Sequence, residues 1–134
     1  MRLGCVACAL ALLMLAVTPA AASDRRQKQL EFQLKRLDPQ TRLEQLCDVE
    51  AMKRIGKENR EFRVDRSVIS ALEEPRIKGD TISGKGAAFR SKGKWYRYAF
   101  TCEAAPDRMR VLSFEYKLGD EIPETQWAKH GLYQ

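Results

Sequence analysis

Few residues in this chain are of the types that do covalent chemistry. The cysteines are Cys5, Cys8, Cys47 and Cys102, and the single histidine is His130. Cys5 and Cys8 fall in an N-terminal apolar segment, which leaves Cys47 and Cys102 as the pair that matters. A cysteine nucleophile needs a base to take its proton, and His130 stands almost at the C-terminus. Two thiols in one small exported domain become a bridge more readily than a reactive site, so a disulfide Cys47–Cys102 is expected. Such a bridge closes a long loop and is worth about 4 kcal/mol in the chain-entropy account. Only carboxylates then remain as metal ligands, and none has calcium-loop or zinc-motif spacing, so no metal and no cofactor is expected. Glu44 and Asp48 lie four residues apart and have the groups for general acid–base work. Two like charges at that spacing read as a solvated helix face. No Ser-His-Asp triad can be assembled, and no catalytic residue is assigned.

Gly79-Asp80-Thr81-Ile82-Ser83-Gly84-Lys85-Gly86 comes close to a phosphate-binding loop. In that loop, glycines let backbone N–H groups approach phosphates and a Ser or Thr after the Lys holds magnesium. Here Gly86 occupies the magnesium-ligand position, and no clear buried strand leads into the segment, so it reads as a Gly-rich turn. Charge is more informative. The chain carries 24 Lys+Arg against 18 Asp+Glu, a formal net charge of +6. Between residues 76 and 97 stand Arg76, Lys78, Lys85, Arg90, Lys92, Lys94 and Arg97, opposed only by Asp80, with Phe89, Trp95 and Tyr96 interleaved. Cations beside flat apolar groups suit a polyanion. Lys85, Arg90, Lys92, Lys94, Trp95 and Arg97 are the candidate binding residues. The competing reading is that these lysines decorate a hairpin and guard its edge, with the aromatics turned into the core.

The elements that must position these residues are legible in outline. Leu30, Leu34 and Leu37 give one apolar stripe and a first helix over Asp24–Leu37. Asp38-Pro39 has the form of an N-cap followed by Pro at the first helical position. The second helix then carries Leu43, Leu46, Cys47, Ala51 and Ile55 on one face, and Gly56 is placed to end it in a left-handed cap. Strand signals follow at Ser67–Leu72, around Thr81–Ser83 and over Ala87–Arg90. The strongest runs from Trp95 to Glu103, where Tyr96, Tyr98, Phe100 and Cys102 alternate with Arg97, Ala99 and Thr101. Its partner is Met109–Leu118, with Leu112, Phe114, Tyr116 and Leu118 on one face, and Ala105-Pro106-Asp107-Arg108 has the Pro-Asp centre of a type I turn. After Pro123 a short last helix is expected, with Trp127 packing back. The predicted fold is α+β: an N-terminal helix pair on a small antiparallel sheet, one disulfide and a short C-terminal helix.

Residues 1–22 read as a signal peptide, with Arg2 at the charged start, an apolar run Leu3–Val17 and the small residues Ala20-Ala21-Ala22 before Ser23. As a helix that run reaches about 22 Å, short of the roughly 30 Å hydrocarbon core. Cleavage leaves a single domain, 23–134, with no transmembrane segment, in the periplasm or secreted.

The residues Leu37-Asp38-Pro39, Thr41-Arg42-Leu43-Glu44-Gln45, Cys47-Asp48 and Glu50-Ala51-Met52, followed by Gly86-Ala87-Ala88-Phe89-Arg90-Ser91, Trp95-Tyr96 and Cys102, stand in one order. This pattern resembles a family of exported alphaproteobacterial proteins, the domain of unknown function 930. The resemblance implies a bacterial envelope setting and brings no activity with it. The expected function is therefore argued from charge: a small non-enzymatic module binding an anionic lipid, lipopolysaccharide, an acidic glycan or an acidic protein surface, not nucleic acid. The alternatives are an envelope enzyme inhibitor, a carboxylate-based cell-wall hydrolase, and a structural subunit of an envelope complex.

Overall fold

The computed structural model describes residues 19–134; the expected leader lies outside them up to residue 18, and Pro19 to Ala22 form the start of the first helix. Helix α1 spans Pro19–Lys35 and helix α2 Pro39–Glu58. Asp38 caps α2 as its position before Pro39 requires, its carboxylate accepting from the N–H groups of Gln40 and Thr41 at 3.1 Å each. Gly56 does not end α2. The helix continues to Glu58 and closes on Asn59, which has extended backbone and whose backbone and side-chain N–H groups both donate to the Ile55 carbonyl. Glu58 is held at that last turn by Arg54 one turn back in the same helix and, from outside it, by the Tyr116 hydroxyl, contacts that carry the helix past the glycine.

Five antiparallel strands follow: β1 (Val64–Val68), β2 (Arg76–Lys78), β3 (Thr81–Ser91), β4 (Lys94–Ala104) and β5 (Val111–Glu121). Their order is β1-β3-β4-β5, with β2 paired to the first part of β3. The strand expected at Ser67–Leu72 begins earlier and stops at Val68, where the chain turns. The two expected pieces at Thr81–Ser83 and Ala87–Arg90 are one strand whose register breaks between Gly84 and Ala87. Leu112 is exposed, contrary to its expected place on the inner face. The register shifts between Glu103 and Ala104, so Val111 rather than Leu112 pairs with Ala104. The turn at Ala105–Arg108 forms as expected, Arg108 N–H donating to the Ala105 carbonyl at 2.8 Å.

Alternation along β4 divides the apolar residues between two clusters. Tyr98, Phe100 and Cys102 face α2 and pack with Leu43, Cys47, Ala51 and Ile55. The disulfide Cys47–Cys102 joins α2 to that inner face, with Cα atoms 6.1 Å apart. Trp95 points the other way and packs with Ala88, Ile122, Trp127 and Leu132. The expected last helix is a pair of 3₁₀ turns, Glu124–Gln126 and Ala128–His130, and Trp127 does pack back, donating its indole N–H to the Ile122 carbonyl. The C-terminal segment thus covers one end of the sheet's outer face and leaves the other end open.

Candidate functional site

The open half of the outer face holds a groove of about 600 Å³. Its floor is small. Ala99 lies at the centre of β4, and Gly84 on β3 pairs with the residue after it, Phe100. One wall is the segment after β1, which folds over the strand because the Leu72 N–H donates to the Gly86 carbonyl at 2.8 Å. Gly86 admits this wall only because it has no side chain: a Cβ there would stand 2.5 Å from the Glu73 Cβ.

Register places three cations around Ala99. Lys117 is its direct partner on β5. Arg97 precedes it by two residues on the same face. Lys85 lies in the register break of β3, across from Ala99. All three are exposed, and among the described residues none is held in an ion pair. The next row along the strands is Ser83, Thr101 and Glu115, and the row after it Thr81, Glu103 and Ser113. Arg76 and Glu74 complete the rim.

The residues singled out in the sequence separate into two groups. Lys85 stands in the row of Ala99 and Lys117 and lines the groove, whereas Arg97 stands two residues along β4, paired with Ala88, just outside the lining. Lys92 sits with Gly93 at the tip of the β3–β4 hairpin, both at positive φ, and Lys94 at the same tip faces Glu121 at 3.5 Å. Arg90 is engaged within the fold, its guanidinium donating to both carboxylate oxygens of Asp65 at 2.9 and 3.1 Å while lying 5.8 Å above the Trp95 ring. Trp95 is 2% exposed and donates its indole N–H to the Tyr133 carbonyl, so its flat face meets protein rather than solvent. Lys117 was not singled out. No local signal marks it, since it lies twenty residues beyond the basic stretch and reaches the site through β5 pairing alone.

The phosphate-loop look-alike is a hairpin. Gly79 makes the turn between β2 and β3 with φ of 61°, and Thr81–Ser91 continues as strand with no helix after it. Lys85 is aimed by a strand irregularity, and no helix N-terminus gathers N–H groups around it.

Asp48 also departs from expectation. It is 9% exposed, buried between α2 and β1, and accepts from the Ser67 hydroxyl at 2.8 Å. The Tyr98 hydroxyl lies 2.6 Å from Ser67 Oγ; with the Ser67 proton directed to Asp48, Tyr98 is the donor of that second bond. Burial pushes the Asp48 carboxyl up to about 7, opposed by the bonds from Ser67 and the Ile69 N–H, with Glu44 adding to the rise. Burial likewise raises the Tyr98 phenol above its ordinary value. Ser67 is itself buried and has no histidine beside it, so the trio links helix to sheet and does not form a nucleophile.

Residues 34–132 match the family described as Domain of Unknown Function (DUF930). That stretch is well over half of the chain, which therefore belongs to the family. It contains α2, the whole sheet and the C-terminal cover, and omits most of α1. No curated protein and no solved structure matches the chain.

Proposed function

For this member of the DUF930 family we propose an exported, non-enzymatic module that binds an anionic component of the bacterial envelope on the outer face of its sheet. The observation that carries the reading is the pair Lys85 and Lys117 on either side of Ala99, with Arg97 two residues along β4 on the same face. Three neighbouring cations on a face with a small floor repel one another, and an anion seated among them relieves that repulsion. Because none is paired with a carboxylate among the described residues, an incoming anion displaces water rather than one of those ion pairs. Export is supported by the leader-like residues 1–22 and by the Cys47–Cys102 disulfide, a bond that persists in oxidising compartments.

The test is thermal stabilisation of the oxidised protein by lipopolysaccharide, by vesicles of anionic phospholipid and by acidic polysaccharide. A ligand at a hundred times its dissociation constant stabilises by about 2.7 kcal/mol, well within reach of such a measurement. The wild type is expected to shift with at least one of these, and the variant carrying Lys85→Glu, Arg97→Glu and Lys117→Glu is expected not to. Equal shifts in the two proteins would sink the reading.

A further inference from the structure

We infer that the outer groove takes an acidic sugar, its carboxylate or phosphate on Lys85, Arg97 and Lys117 and its hydroxyls directed at Thr101, Ser83 and Glu115; the inference rests on the binding role proposed above and deepens it. The chemistry of the groove changes along the strands. Around Ala99 stand cations, whereas the next row pairs Ser83 and Glu115 with Thr101, and Glu103 follows on β4. Two residues separate the row of Lys85, Ala99 and Lys117 from that of Ser83, Thr101 and Glu115, about 7 Å at the rise of an antiparallel strand, with Arg97 on the far side of the first row. An acidic sugar spans such a gap, with the anionic substituent at one end of the ring and hydroxyls at the other.

Carboxylates accept hydrogen bonds and donate none, so Glu115, Glu103 and the wall residue Glu73 call for ligand groups that donate. They also repel a second anion in that place. A polyphosphate, with an anion at every link and no sugar hydroxyls, meets attraction at one row and repulsion at the next. A uronic-acid unit, with one carboxylate and otherwise hydroxyls, meets attraction at both, and in a short oligomer the neighbouring carboxylates are set a ring apart from it. The floor of Ala99 and Gly84 lets a ring lie close to the sheet, and Gly86 fixes Glu73 at its side.

The experiment measures binding of trigalacturonate, maltotriose and tripolyphosphate to the oxidised protein and to the exposed-site variants Thr101→Val and Glu115→Leu, with melting curves to verify folding. Lipopolysaccharide serves as a separate arm that distinguishes a glycolipid headgroup from a free acidic glycan. Trigalacturonate is expected to bind about tenfold more tightly than either the neutral or the all-anionic probe. Each variant is expected to lose roughly three- to tenfold for trigalacturonate, while tripolyphosphate binding stays the same or improves on removal of Glu115. Tripolyphosphate binding as tight as trigalacturonate, or a silent Thr101→Val, would overturn the sugar assignment while leaving an anion-binding role in place. If no anionic probe or lipopolysaccharide binds, the binding role falls with it.

Discussion

Asp48 shows how one residue ties stability to pH. A carboxyl held between helix and sheet is stabilised in its protonated form, since burial penalises the charge more than Ser67 and the Ile69 N–H compensate it. The folded state therefore holds this proton more tightly than the unfolded chain does. The resulting stabilisation is fully present below the ordinary carboxyl value of 3.8 and is lost as pH rises through about 7. The protein is accordingly expected to melt higher at pH 5 than at pH 8, by the equivalent of a few kcal/mol, and Asp48→Asn is expected to flatten that dependence. Asparagine keeps an oxygen to accept from Ser67, so the variant separates charge from hydrogen bonding. A pH profile unchanged by the substitution would show that another group governs it. The sequence puts Asp48 with Glu44 on a solvated face, and the structure overturns this, although Asp48, Ala51 and Ile55 follow the spacing of three and four that marks the apolar stripe. Its partners were not legible there, because Ser67 and Tyr98 meet it only after β1 and β4 are placed.

At the level of elements, long-range restraints decide where the sequence alone ends short. The N-cap of α2 and the turn at Ala105–Arg108 depend on neighbours in the chain and were readable there. The extension of α2 past Gly56 depends on Tyr116, and the displacement of Leu112 on a register shift against β4, neither of which has a local signature. Two such restraints can be tested. Replacing Cys47 and Cys102 by serine should cost about 2–5 kcal/mol, read as a lowered denaturation midpoint, because α2 and β4 lose their covalent tie. Gly86→Ala should cost about 1–3 kcal/mol, because a Cβ would stand 2.5 Å from that of Glu73 and the wall must move outward. That variant should also weaken any ligand held between the wall and the floor. A Gly86→Ala protein with unchanged melting would mean that the wall yields freely and does not shape the groove.

For the whole molecule, the sheet has two faces with different tasks. The inner face is closed by α2 and the disulfide. The outer face is half closed by Trp127 and Leu132 on Trp95, and half open above Ala99. The sequence located the positive charge between residues 76 and 97, and pairing redistributes it: Arg90 is drawn into the fold by Asp65, Trp95 is covered, and Lys117 joins Lys85 and Arg97 from a distant strand. A basic stretch becomes a cation row only through strand register, which composition does not encode. The most direct measurement is the affinity of the oxidised protein for lipopolysaccharide and for an acidic polysaccharide as salt is raised. It is to be made for the wild type and for the variant Lys85→Gln, Arg97→Gln, Lys117→Gln. Binding is expected to weaken steeply with salt in the wild type and to be lowered by about tenfold or more, with a shallower salt dependence, once the three cations are neutralised. The same affinity and the same salt dependence in both proteins would contradict it.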